Sequence, residues 1–132
     1  MQLFDAKFAG LERVLDLRVQ QHAITASNLA NAETPMYRAK VIGGFDKRLE
    51  EAMAGEGPEI LASDPRHIGY AEAVPALRIE ELEPDPWVLD GNSVVGEQEV
   101  GRLRSNATLY SAVAKGLSKR FALLKYAASN GR

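Results

Sequence analysis

Apolar residues recur at steps of three and four at both ends of the chain, and the pattern breaks down between them. Near the start, Phe4, Phe8, Leu11, Leu15, Val19, Ala23, Ala26 and Ala30 fall on one stripe, with the period of a single helix face. No proline precedes Pro35, and Gly10 is the lone glycine before it, costing about 1 kcal/mol relative to alanine. The spacing predicts a helix over residues 3–31, roughly 40 Å long at ~1.5 Å per residue. The stripe opens with large side chains and closes with alanines, against which another helix can approach closely.

The C-terminal pattern is stricter. Val100, Leu103, Ala107, Tyr110, Ala114, Leu117, Phe121, Leu124 and Ala128 alternate at spacings of three and four, an unbroken heptad seam. Leu103, Tyr110, Leu117, Phe121 and Leu124 are its candidate adhesive residues. Asp90-Gly91 suits a tight turn. Asn92 or Ser93 then stands where a helix cap belongs, with Glu97 and Glu99 in the early turns, where negative charge is favoured. Gly131 follows as a stop.

Between these helices the chain is punctuated by Gly55, Gly57, Pro58, Pro65, Gly69, Pro75, Pro84 and Pro86. Phe45, Leu49 and Met53 after the Gly43-Gly44 break predict a short helix within residues 41–53. Alternation around Leu77 and Ile79 is compatible with one or two short strands. The expected organisation is an N-terminal helix and exit motif (1–40), an extended acidic middle (41–92) and a C-terminal heptad helix (93–132). The fold class is mainly α: two long terminal amphipathic helices packed as a coiled-coil-like hairpin, forming one axial domain, with at most short β-strands in the middle. Two helices alone bury little core, so both need further partners.

Charge sharpens this picture. The 132 residues carry a formal net charge of −2, which selects no partner, but the charges are segregated. Residues 46–99 hold four basic and fourteen acidic side chains, and residues 100–132 hold seven basic and none acidic. There is no cysteine, which excludes disulfides and thiolate sites. The N-terminus lacks the basic and apolar regions of a secretory signal, and no window is apolar enough for a membrane span.

The stretch from Ser27 to Lys40 reads as a helix exit. Asn31 tolerates the left-handed conformation that ends helices, and Pro35 holds Thr34 extended. Those rules leave the second asparagine, Asn28, and the aromatic Tyr37 unexplained. Asn28, Asn31, Thr34, Pro35 and Tyr37 resemble the Asn-x-x-Asn-x-x-Thr-Pro-Gly-Tyr signature of bacterial flagellar axial proteins. Met36 stands where that signature has glycine, so the turn before Tyr37 is expected to be less sharply left-handed. Ser63-Asp64-Pro65-Arg66-His67-Ile68, Leu89-Asp90-Gly91-Asn92-Ser93-Val94 and the Asn106-x-x-x-Tyr110 step are similar to segments of the short rod proteins of the flagellar basal body, and of the proximal-rod type in particular.

The resemblance implies a structural subunit of the proximal rod near the membrane ring, contributing to motility. Its partners would be other copies of itself, other rod proteins and the proteins of the ring–rod junction. It would leave the cell through the flagellar type III export apparatus, without a cleaved signal, for the periplasmic rod. It implies assembly through the terminal helices, with Asn28, Asn31, Thr34, Pro35, Tyr37, Asp90, Gly91 and Asn92 at interfaces and Tyr37 as an aromatic anchor on a neighbouring helix. The alternatives are a sister rod protein, a helical export adaptor, or a nucleic-acid-binding protein using Arg102, Arg104, Lys115, Lys119, Arg120, Lys125 and Arg132. No nucleic acid, membrane span, cofactor or metal is expected. Catalysis has little to stand on. His22 lies in a helix, His67 in a Pro-rich stretch, and no phosphate-binding or zinc motif is present.

Overall fold

The computed structural model describes residues 2–54 and 77–129, with side chains from residue 8 onward. Segment 63–68 and Gly131 lie outside the described residues. The elements in order are α1 (Gln2–Ala30), β1 (Lys40–Ile42), α2 (Phe45–Ala54), β2 (Ile79–Glu81) and α3 (Gly96–Ser129). The protein is mainly α, as the two periodic ends predict. α2 and β2 also fall where the pattern places them. β1 was not expected; three residues are too few to show a period.

α1 and α3 form an antiparallel hairpin. Asn28 meets Glu99, Arg18 meets Asn106, and the rings of Phe8 and Phe121 lie 5.0 Å apart. α2 and β1 pack against α1. β1 and β2 pair antiparallel, with Lys40 opposite Glu81, Val41 opposite Glu80 and Ile42 opposite Ile79. Two backbone bonds extend the ribbon, from Gly43 N–H to the Arg78 carbonyl and from Leu82 N–H to the Ala39 carbonyl, each 2.8 Å. The buried apolar residues Val14, Ala39, Ile42 and Ala52 come one or two from each of α1, α2 and the β1 segment.

The face that α1 buries is not its apolar stripe. Val14, Arg18, Thr25 and Asn28 are buried, and Gln21 between them is half-buried. These positions come one or two residues before those of the stripe, which turns the buried face by about 100° or more around the helix. Val19, Ala23, Ala26 and Ala30 are left exposed. On α3 the buried side chains are Glu99 and Asn106, also polar and one heptad apart. The seam residues Leu103, Leu117 and Leu124 are only half-buried, and Tyr110 and Phe121 are exposed. Periodicity reports where apolar residues lie. It does not report which face finds a partner within the same chain, and here hydrogen-bond complementarity decides that.

Arg18 shows how the polar face is paired, although its buried Nε has no partner among the described residues. Its guanidinium donates to Asn106 Oδ1 at 3.1 Å, and Asn106 Nδ2 returns a bond to the Arg18 backbone carbonyl at 2.7 Å. The guanidinium carbon also lies 6.0 Å from the centroid of the Phe45 ring in α2, near the outer limit of a cation–π contact. Burial pulls the Arg18 pKa below its ordinary value by desolvating the charge, and the same cause raises that of Asp16.

Asn106→Ala should therefore cost about 2 kcal/mol, because it strands a buried guanidinium and a buried carbonyl together. Leu123→Ala, on the exposed side of α3, should cost under about 0.5 kcal/mol. Urea unfolding followed by circular dichroism distinguishes the two. Equal losses would mean that the apolar surface, not the polar seam, holds the hairpin.

Candidate functional site: the α1 exit

The two segments flagged by sequence, Asn28–Tyr37 and Leu89–Val94, interlock where α1 ends and α3 begins. Asn28 is the centre, with 1% of its surface exposed. Its Nδ2 donates to the Lys40 carbonyl at 2.8 Å, and its Oδ1 accepts the Lys40 N–H at 2.9 Å. The side-chain amide thus pairs with both backbone groups of one β1 residue, as a neighbouring strand would. Its remaining capacity goes to Glu99, whose Oε2 accepts from Nδ2 at 3.3 Å, and to Tyr37, whose hydroxyl donates to Oδ1 at 3.4 Å. Glu99 is buried, and Arg102 NH1 also donates to it, to Oε1 at 2.6 Å. A buried carboxylate needs such pairing.

Asn92 plays the matching part from the other segment. Its Nδ2 lies 2.9 Å from the carbonyls of Asn31, Ala32 and Thr34. Two amide hydrogens serve three acceptors, so one hydrogen is shared. Helix ends leave carbonyls without partners, and Asn92 gathers those just past the end of α1. Its own Oδ1 accepts Val94 N–H at 2.7 Å. Ser93 Oγ accepts Ala39 N–H at 2.7 Å. The expectation that Asn92 or Ser93 caps α3 is therefore corrected. α3 starts later, at Gly96, where Glu99 N–H bonds the Val95 carbonyl. Both side chains are already engaged with the exit of α1.

Asn31 also departs from expectation. It is not left-handed, since Met36 is the one such non-glycine residue among those described. The chain instead leaves α1 through tightened turns, with Asn31 N–H reaching the carbonyls of both Ser27 and Asn28. Asn31 Nδ2 holds the Ser27 carbonyl at 2.8 Å, and Thr34 Oγ1 donates to Asn31 Oδ1 at 3.2 Å. Pro35 sits exposed in the turn that follows.

Met36 corrects a further expectation. It has φ of +62°, so the turn before Tyr37 keeps the left-handed geometry despite the side chain. Two strong constraints impose it. Met36 N–H donates to the Asp90 carbonyl at 2.8 Å, and Ser93 N–H donates to the Tyr37 carbonyl at 3.0 Å. The left-handed cost of about 1–2 kcal/mol is outweighed by these two cross-links. Gly91, itself at φ +68°, faces it, and a Cβ there would lie 2.6 Å from Met36 Sδ. Glycine at 91 thus answers both a backbone need and a close approach.

The structure brings Asn28, Asn31, Thr34, Tyr37, Asp90, Gly91 and Asn92 into one cluster. Leu103, Tyr110, Leu117, Phe121 and Leu124 lie outside it along α3. Tyr37 is half-buried against its own α1. Glu99, Arg18 and Ser93 were not singled out as site residues. A usable signal existed for the first two: Arg18 and Thr25, Gln21 and Asn28, and Glu99 and Asn106 are polar pairs at heptad spacing. Among the described residues, no group of three or more His, Asp or Glu side chains comes together as a metal site. No helix there is long and apolar enough to cross a membrane.

No protein-family model matches the chain. Curated proteins do. The flagellar basal body rod protein FlgB of Salmonella typhimurium is 32% identical over 112 residues, covering 80% of each chain. That of Cereibacter sphaeroides is 34% identical over 110 residues, covering 82% of each. The chain belongs to the FlgB family of flagellar basal-body rod proteins. The Bacillus subtilis FlgB protein, 25% identical, aligns over all 132 residues. The similarity thus runs through both terminal helices and the middle, and the chain is a structural protein of the flagellar basal-body rod. The nucleic-acid and adaptor alternatives are not favoured.

Asn28→Asp keeps the shape of the central amide but turns a donor toward Glu99 and the Lys40 carbonyl into a carboxylate oxygen. At neutral pH it should destabilise the fold by about 3 kcal/mol. The deficit should narrow on acidification through the carboxylate range, as protonation restores a donor. Thermal melts from pH 7 to pH 4, referenced to the wild-type chain, check this. Met36→Gly should raise stability by about 0.5–1 kcal/mol, and Gly91→Ala should lower it by more than that. Chemical denaturation of both variants provides the test.

Proposed function

We propose that the chain is a subunit of the proximal segment of the flagellar rod, near the membrane ring, and that it assembles through the outer faces of α1 and α3. Its partners are other copies of itself, other rod proteins and the ring–rod junction proteins. It reaches the periplasmic rod through the flagellar type III export apparatus. The FlgB-family relationship supports the rod placement. The observation that carries the assembly surface is the position of the two apolar stripes. The side chains buried most deeply between the helices are polar, which leaves Val19, Ala23 and Ala26 of α1 and Ala107 and Tyr110 of α3 exposed. Val19, His22, Ala107 and Tyr110 line an open groove of about 260 Å³ between the helices, floored by Arg18 and Asn106. A helix from a neighbour, packed there, removes apolar surface from water at ~25 cal/mol per Å².

The Asn28–Asn92 cluster serves this role indirectly. It fixes the angle at which the chain leaves the hairpin, and so where the middle region meets the next subunit. Tyr37 keeps an exposed portion for such a contact while its hydroxyl is tied to Asn28.

In a strain lacking the gene, chains missing residues 4–30 or 103–128 should fail to restore rods or swimming. Val19→Asp and Tyr110→Asp are finer tests. Each should abolish swimming with unchanged helix content, because the substituted positions are exposed in the monomer. Normal swimming with either variant would overturn the proposed surface. Tyr37→Ala should reduce rod assembly by more than Tyr37→Phe does; equal rods from both would remove Tyr37 as an anchor.

A further inference from the structure

Two exposed patches of opposite charge lie at opposite ends of the hairpin. The first is the turn at residues 82–90. Trp87 is 88% exposed and Leu89 fully so, beside Glu83 and Asp85. This is not a loose loop. Asp85 Oδ1 accepts Trp87 N–H at 3.1 Å, Val88 N–H donates to the Asp85 carbonyl at 2.9 Å, and Gly91 N–H donates to the Val88 carbonyl at 3.2 Å. Arg38 pairs with Glu83 and ties the turn to the α1 exit. Two successive turns therefore hold a large aromatic and a leucine exposed and pre-organised, with no partner among the described residues. Burying such side chains is favourable by about 2 kcal/mol each, and tryptophan is enriched at interface hot spots.

The second patch is on the distal half of α3. Lys115, Lys119, Leu123 and Tyr126 recur at steps of four, four and three, and all are exposed. This stripe faces away from Asn106 and Leu124, so it lies opposite the side packed on α1. No acidic residue occurs from 100 to 132, and among the described residues Lys115, Lys119, Arg120 and Lys125 form no ion pair. The patch thus combines free ammonium groups with an aliphatic and an aromatic side chain, the complement of an acidic turn bearing tryptophan.

A single copy cannot bring the two together. The turn is anchored near Glu99, and Lys119 lies twenty residues further along α3, about 30 Å at the helical rise. We infer that the acidic 82–90 turn of one copy docks on the outer Lys115–Tyr126 stripe of α3 in a second copy, head to tail. Such a contact joins two different patches and leaves one of each free at the ends, so it propagates into a strand rather than closing into a dimer. Trp87 and Leu89 supply the burial, and the ammonium groups meet Glu83, Asp85 and the tryptophan face. This inference rests on the rod reading and names a partner surface for it, separate from the Val19–Tyr110 groove.

Analytical ultracentrifugation of the purified full chain tests it. The wild-type chain should self-associate at low salt, with affinity falling about tenfold by moderate salt. Lys115→Glu with Lys119→Glu, and separately Glu83→Lys with Asp85→Lys, should each weaken association about tenfold or more without loss of helix content. An equimolar mixture of these two double variants should recover association, because it re-creates one complementary junction with its signs exchanged. Trp87→Ala should weaken association at every salt concentration. A wild-type chain that stays monomeric, variants that associate like wild type, or a mixture that fails to recover would each overturn the contact. The swimming assays on Val19→Asp and Tyr110→Asp remain independent. Lost swimming with a monomeric chain sinks this contact and leaves the rod reading standing, whereas retained swimming counts against the groove alone.

Discussion

The pairing of the Asn28 amide with the Lys40 backbone is the constraint on which the rest of the architecture hangs. It fastens β1 to α1, and through β1 it places β2. Its spare donor reaches Glu99, so the same side chain also sets where α3 starts relative to α1. An amide buried this deeply has no recourse to water, so each of its partners must be in place together. Asn92 reinforces the joint from the other side by collecting carbonyls at the α1 end. Two short amide side chains from distant parts of the sequence thus do what a larger apolar core does in a compact domain.

The hairpin carries that logic along its length. Arg18 and Asn106 exchange bonds in both directions, and Gln21 donates to Thr25 within α1. Apolar residues are not scarce in this chain; they are placed elsewhere. A soluble two-helix unit ordinarily turns its apolar stripe inward. Here much of the α1 stripe is left outside, as the assembly surface proposed above requires.

The two long helices were legible because their periods run unbroken for many turns, and α2 because a glycine pair precedes it. The helix-exit string marked the right residues for partly the wrong reason. Asn31 does not adopt the left-handed turn, and Met36, judged ill-suited to it, does. Local propensity misjudged Met36 because the deciding bonds come from Asp90 and Ser93, more than fifty residues away, whereas Asn31 is held by tightened turns to Ser27 and Asn28. The cap assignment for Asn92 failed in the same way: a cap is scored against the following helix, and this side chain turns back to the preceding one. The polar seam was present as pairs at heptad spacing, but a search weighted by hydrophobicity passes over it.

The division between polar inside and apolar outside has a mechanical consequence. Hydrogen bonds are directional, so sliding α1 against α3 by one helical turn would strand Arg18, Asn28, Glu99 and Asn106 at once. Dispersion and hydrophobic contact have no such preference for direction, and alanines at 23, 26 and 30 give a neighbour a smooth track. Each subunit is therefore stiff within itself and lubricated at its surface. In the assembly proposed above, neighbours would settle into unequal positions while the shape of the individual subunit stays the same.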